Sequence, residues 1–170
     1  MEPVIYEYGG ADADFNRVGR LTAITSESGI TEYQYGKLGE EVKVIKSMNF
    51  LTPGLSPETF VTESMNDYLG RTEWIKYPDG EKLTYQYDKG GQIHRAYGEH
   101  RGRTFEYVKS IYYDEFGQRT SIKYGNDVET EYTYDPYRRW LRNIHTENSY
   151  KYSVDDFQDI VETFSANGRQ

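Results

Sequence analysis

The chain has no cysteine among its 170 residues, so neither a disulfide framework nor a thiolate metal site is open to it. Long apolar runs are missing too. No stretch approaches the length of a membrane-spanning helix, and the first 30 residues lack the basic-then-apolar order of a signal peptide. Positive charge is scarce, with 20 Lys and Arg against 28 Asp and Glu. A formal net charge of −8 argues against general binding to a nucleic-acid backbone, which needs clustered cations. Hydrophobic residues make up only 36%. What the chain has instead is tyrosine, 18 of them. Disordered segments are poor in aromatics, and tyrosine suits the half-buried face of a pleated sheet. Composition therefore predicts a folded all-β chain, one domain over 1–170.

The tyrosines recur with aspartate and glycine in a fixed order. Asp67-Tyr68-Leu69-Gly70-Arg71, Tyr85-Gln86-Tyr87-Asp88-Lys89-Gly90-Gly91 and Tyr113-Asp114-Glu115-Phe116-Gly117 are three copies, and Tyr132-Thr133-Tyr134-Asp135-Pro136-Tyr137-Arg138 is a fourth without the glycine. Asp67, Asp88, Asp114, Asp135 and Asp155 are separated by 21, 26, 21 and 20 residues. Such a period means one supersecondary unit copied in series. Earlier copies stand at Tyr6-Glu7-Tyr8 and Tyr33-Gln34-Tyr35, and Tyr150-Lys151-Tyr152 leading into Asp155 reads as a worn final one. The count is six to seven units.

Each unit reads as a β-hairpin. In one, Arg71 to Tyr77 and Glu81 to Tyr87 are the strands, and Pro78-Asp79-Gly80 between them suits a type I turn closed by a glycine bulge. Alternation puts Leu83, Tyr85 and Tyr87 on one face. The Asp-Xaa-Xaa-Gly segment is then a second turn joining hairpins, with Asp67, Gly70, Asp88, Gly91, Asp114, Gly117 and Asp135 as its structural residues. Two stretches break the period. A Pro/Gly-rich insertion near 49–62 reads as a surface loop, and 92–113 reads as a longer hairpin turning at Gly98 to Gly102. The fold expected is an antiparallel meander of repeated hairpins.

Candidate chemistry is sparse. Paired carboxylates can work as general acid and base, but these aspartates occur once per unit, where a side-chain oxygen satisfies turn amides. Gly9 to Asp14 loosely resembles a single calcium-binding repeat, and His94, His100 and His145 form no metal motif, so no metal or cofactor is expected. There is no phosphate loop and no nucleophile elbow, hence no enzyme. Ligand contact, if any, falls to aromatic and basic positions: Trp74, Trp140, His94, His100 and Arg101. A binding module for cell-wall or surface glycans, using exposed Tyr and Trp, is the alternative to a purely structural role.

Tyr-Asp-Xaa-Xaa-Gly-Arg, a turn containing glycine, then Tyr-Xaa-Tyr-Asp, resembles the YD-repeat or Rhs-repeat family; it stands at 66–88 and again from Tyr113 to Asp135. The resemblance covers most of 15–160. That family includes bacterial polymorphic-toxin shells, the encapsulating components of insecticidal toxin complexes, wall-associated proteins and the teneurin receptors. The resemblance implies a curved β-strip that is a segment of a YD-repeat shell. It implies a secreted or surface-displayed parent protein, with neighbouring repeats or an effector domain as partners. The family's self-cleaving Asp-Pro-Xaa-Gly motif has no counterpart, because Asp135-Pro136-Tyr137 sits in the repeat frame as a worn turn. The chain thus reads as a shell segment or a small relative. Open strand edges at the ends of such a strip predict edge-to-edge self-association.

Overall fold

A computed structural model describes residues 3–49, 57–148 and 155–161. Every regular element among them is a strand. In chain order these are β1 (Ile5–Tyr8), β2 (Leu21–Ser26), β3 (Gly29–Tyr35), β4 (Glu41–Met48), β5 (Glu58–Asn66), β6 (Thr72–Lys76) and β7 (Lys82–Tyr87). They continue as β8 (Ile93–His100), β9 (Arg103–Tyr113), β10 (Arg119–Tyr124), β11 (Val128–Tyr134), β12 (Leu141–Asn148) and β13 (Asp155–Val161). Spatial order equals chain order from β1 to β13, an antiparallel meander with no crossover. The chain packs as two compact units, 1–84 and 85–170, whose boundary falls inside β7.

The meander follows from turn chemistry. Pro78-Asp79-Gly80 behaves as its residues dictate. Gly80 N–H donates to the Tyr77 carbonyl at 2.9 Å, Tyr77 N–H to the Glu81 carbonyl at 2.8 Å, and Gly80 takes a φ of 90°. This is a type I turn plus a left-handed residue, the three-residue hairpin loop whose twist suits antiparallel strands. The signature turns at 67–71, 88–92 and 114–118 have the same geometry. At 67–71, Gly70 N–H reaches the Asp67 carbonyl at 2.9 Å and Asp67 N–H reaches the Arg71 carbonyl at 2.8 Å. Both ends of the unit from 67 to 88 therefore reverse the chain by one device.

A regular defect accompanies the signature turns. In five strands that follow an inter-hairpin turn, an extra residue near the strand's start displaces the register: Thr22 in β2, Val42 in β4, Glu73 in β6, Thr120 in β10 and Arg142 in β12. A β-bulge of this kind bends the strand and adds twist.

Among the described residues few positions are fully enclosed. In the first unit Ala23 is buried; in the second Ala96, Ile122 and Thr130 are. Among the described residues no large side chain is completely buried, and most strand positions are half-buried. Stability here comes from hydrogen-bond ladders and cross-strand pairs rather than from a thick core. One such pair joins the Thr130 and Thr146 hydroxyls at 3.0 Å.

Three details differ from the sequence reading. Asp155 is not a signature turn: it opens β13 and pairs with Asn148 of β12, so a spacing of 20 alone misplaced it. The insertion's residues 50–56, like Tyr150-Lys151-Tyr152, lie outside the described residues, and β5 begins at Glu58, so the inserted loop does not extend to 62. The long hairpin turns at Arg101 and Gly102 alone, where φ is 49° and 73°, so Gly98 to His100 are strand.

Candidate functional site

The signature aspartates act on their own turns. Asp67 Oδ1 accepts the amides of Leu69 and Arg71 at 2.8 and 2.9 Å, while Oδ2 accepts Arg71 Nε at 2.7 Å. Asp114 Oδ1 takes the amides of Phe116 and Gln118, both at 2.9 Å, and Oδ2 pairs with the Arg139 guanidinium. Asp88 Oδ1 takes the Gln92 amide at 2.9 Å. Asp135 Oδ1 takes those of Tyr137 and Arg138 at 3.0 and 2.8 Å. These bonds to the charged form set the acidity. At Asp67 burial opposes ionisation, but the Arg71 amide and guanidinium and the Leu69 amide outweigh it and hold the carboxyl below the usual range. At Asp135 the amides of Arg138 and Tyr137 do the same.

Tyrosines just before the inter-hairpin turns reach across to the paired strand of their own hairpin. The hydroxyl of Tyr35 donates to the Leu21 carbonyl, that of Tyr113 to Ile93, and that of Tyr134 to Arg119, each at 2.8 Å. Leu21 and Arg119 immediately precede the bulged residues Thr22 and Thr120. The phenol thus clamps the strand where the bulge interrupts the ladder. In β5 the residue just before Asp67 is Asn66, and Ser64, two residues earlier, donates its Oγ hydroxyl to the Glu41 carbonyl ahead of Val42 at 2.9 Å. Burial is the main cause that pushes the phenols of Tyr35, Tyr113 and Tyr134 above their ordinary value, which keeps all three as donors.

Within the second unit, successive turns are tied side by side. Gln92 Nε2 donates to the Gly117 carbonyl at 3.1 Å, and Gln118 Nε2 to the Arg139 carbonyl at 2.8 Å. Arg139 also lies over the rings of Phe116 and Tyr134, at 4.4 and 5.8 Å. Turns, bulges and clamps together define a β-hairpin repeat protein whose recurring residues serve the backbone.

The five candidate contact residues are divided between the two units. Trp74 lies in β6 in the first unit, with the Lys82 ammonium 4.9 Å from its ring centre. Trp140 lies in the second unit, stacked by Arg138 at 4.9 Å. His94 and His100 share the parity of β8, yet His94 is engaged with the Ile111 carbonyl at 3.2 Å and the edge of Tyr112. His100 and Arg101 stand at the hairpin tip. Among the described residues, no group of three or more His, Asp or Glu is arranged to hold a metal.

One concavity among the described residues was not legible in motifs. A cleft of about 450 Å³ is lined by Glu106, Tyr107, Tyr124, Gly125, Asn126 and Val128. It sits where β9 is bulged twice, at Tyr107 and Lys109, against the turn joining β10 to β11. Gly125 makes the close approach possible, because a Cβ there would collide with the Glu106 carbonyl. The 26-residue interval between Asp88 and Asp114 was the only trace of it in the sequence.

No protein-family model matches the chain, and no curated protein matches it. Solved structures do match. A crystal structure of TcdB2-TccC3-Cdc42 gives a TM-score of 0.85 at 22% identity, covering 97% of this chain and 9% of that one. The Tc holotoxin pore of Photorhabdus luminescens gives 0.84 at 22% identity, covering 95% and 8%. TcdB2-TccC3 without its hypervariable C-terminal region gives 0.82 at 22%, again covering 95% and 8%. The fold is that of a strip of the YD/Rhs-repeat shell in these toxin proteins, as the signature implied. The chain spans about 9% of the matched chain's length.

Proposed function

We propose that the chain is a non-catalytic structural segment of a YD/Rhs-type β-shell, enclosing or displaying a toxin or other cargo within a longer secreted or surface-displayed protein. The observation that carries this reading is the superposition over 97% of the chain on a protein of the TcdB2-TccC3 complexes. The site chemistry supports it: signature aspartates and tyrosines are occupied by turn amides and strand carbonyls. Neighbouring repeats would pair with the outer edges of β1 and β13, the end strands of the sheet order.

The test is the native polypeptide. An antibody raised against this chain should detect a protein much longer than 170 residues. In that protein, a cargo region should resist trypsin until the shell is denatured. A native product of about this chain's own size, or a cargo region digested as fast as when isolated, would contradict the proposal.

A further inference from the structure

The β8–β9 hairpin outruns its neighbour. β10 pairs with β9 only from Tyr113 to Val108, whereas β8 continues pairing to Arg103. A two-residue turn at Arg101 and Gly102 makes His100 and Arg103 the closing, mutually bonded pair. Alternation then turns the backbone N–H and C=O of Thr104 away from β8. Glu106 is the next residue so oriented, and its carbonyl lies against Gly125, in agreement with that alternation. The edge at Thr104 has no strand partner among the described residues, and it runs directly into the cleft at Glu106 and Tyr107.

Charge adds a second observation. Arg95 is paired with Glu106, Lys109 with Asp127 and Arg139 with Asp114. Arg101 and Arg103, both exposed at the tip, make no ion pair among the described residues. In a chain with 28 acidic side chains against 20 basic ones, two neighbouring arginines left without a carboxylate are an unused anion-recognition pair. The cleft below them is walled by Tyr107, Tyr124 and Val128, and its one carboxylate, Glu106, is already neutralised by Arg95.

We propose that this edge takes an extended acidic peptide of a partner protein by strand addition. The peptide continues the line that β10 leaves at Tyr124 and bonds the outward N–H and C=O of Thr104. It sets one apolar or aromatic side chain into the cleft and brings its carboxylates to Arg101 and Arg103. Main-chain bonds supply affinity in this mode, and the pocket and charges supply selectivity. A second copy of the chain, whose own edge carries the same arginines, fits less well on charge. This inference stands apart from the shell reading and uses none of the signature residues.

The test uses a fluorescein-labelled Phe-Thr-Val-Glu-Glu peptide, read by anisotropy against Phe-Thr-Val-Lys-Lys on the whole chain. Saturable binding is expected for the glutamate peptide, about tenfold weaker for the lysine one. Thr104→Pro removes only an outward N–H, a change that an edge position accepts, and should weaken binding about tenfold or more. Arg103→Glu, on an exposed side chain, should do the same and serves if the proline variant fails to fold. Absence of saturation up to about 1 mM, or binding indifferent to Arg103→Glu, overturns the proposal. So does a dimer seen by light scattering and lost in Thr104→Pro, which would assign the edge to a second copy.

Discussion

At 114–118 the chain reverses in five residues around Gly117, whose φ is 78°; at 135–140 it takes six and has no glycine. In the longer turn Arg139 N–H bonds the Asp135 carbonyl at 2.9 Å, Asp135 N–H bonds the Trp140 carbonyl at 2.7 Å, and Arg139 itself occupies the left-handed region at φ 59°. That conformation costs a side chain about 1–2 kcal/mol. The Arg139 guanidinium offsets the cost by pairing with Asp114 and covering Phe116 and Tyr134. The repeat therefore preserves the reversal and its aspartate cap, and glycine is one of two ways of reaching them.

Breaking the cap should have the largest effect. Asp114→Ala removes the acceptor for two amides and strands Arg139, and should cost about 2–3 kcal/mol in urea denaturation. Next comes the glycine. Gly70 has φ 79° and open space where a Cβ would stand, so Gly70→Ala isolates the backbone term and should cost about 1–2 kcal/mol.

Acid should act through the same caps. Asp67 and Asp135 are held below the usual carboxylate range in the folded state, so as pH falls the unfolded chain takes up protons first. Their contribution is fully present above about pH 5 and is lost progressively below about pH 4, as pH approaches the folded values. Asp67→Asn and Asp135→Asn should flatten that acid limb in pH-dependent thermal melts; an unchanged limb would remove the caps from the account. The smallest effect is expected for Arg139→Gly, within about 0.5 kcal/mol of zero, because relieved backbone strain and lost guanidinium contacts oppose each other.

Much of this architecture is local and was readable from residues alone. Pro78-Asp79-Gly80 specifies its turn through one fixed φ and one permitted φ, and the structure shows that turn. Val128, Thr130, Tyr132 and Tyr134 alternate as expected, with Thr130 buried and Glu131 and Thr133 exposed between them. The bulges were hidden because Thr22, Val42, Glu73, Thr120 and Arg142 share a position and no chemistry. The tyrosine clamps were hidden for a related reason. Alternation assigns a side chain to a face, but the partner of its hydroxyl depends on a bulge in the paired strand. Trp74, Trp140 and His94 were singled out by residue type, whereas the cleft is built mainly from backbone irregularity at Tyr107, Lys109 and Gly125.

The central claim is that a signature residue does the same structural work wherever it recurs. Urea denaturation of Tyr35→Phe, Tyr113→Phe and Tyr134→Phe, measured side by side, tests it most directly. Each variant loses one hydroxyl and orphans one carbonyl, so each should be destabilised by about 1 kcal/mol, with the three values agreeing. A loss confined to one tyrosine, with the other two indifferent, would contradict the account.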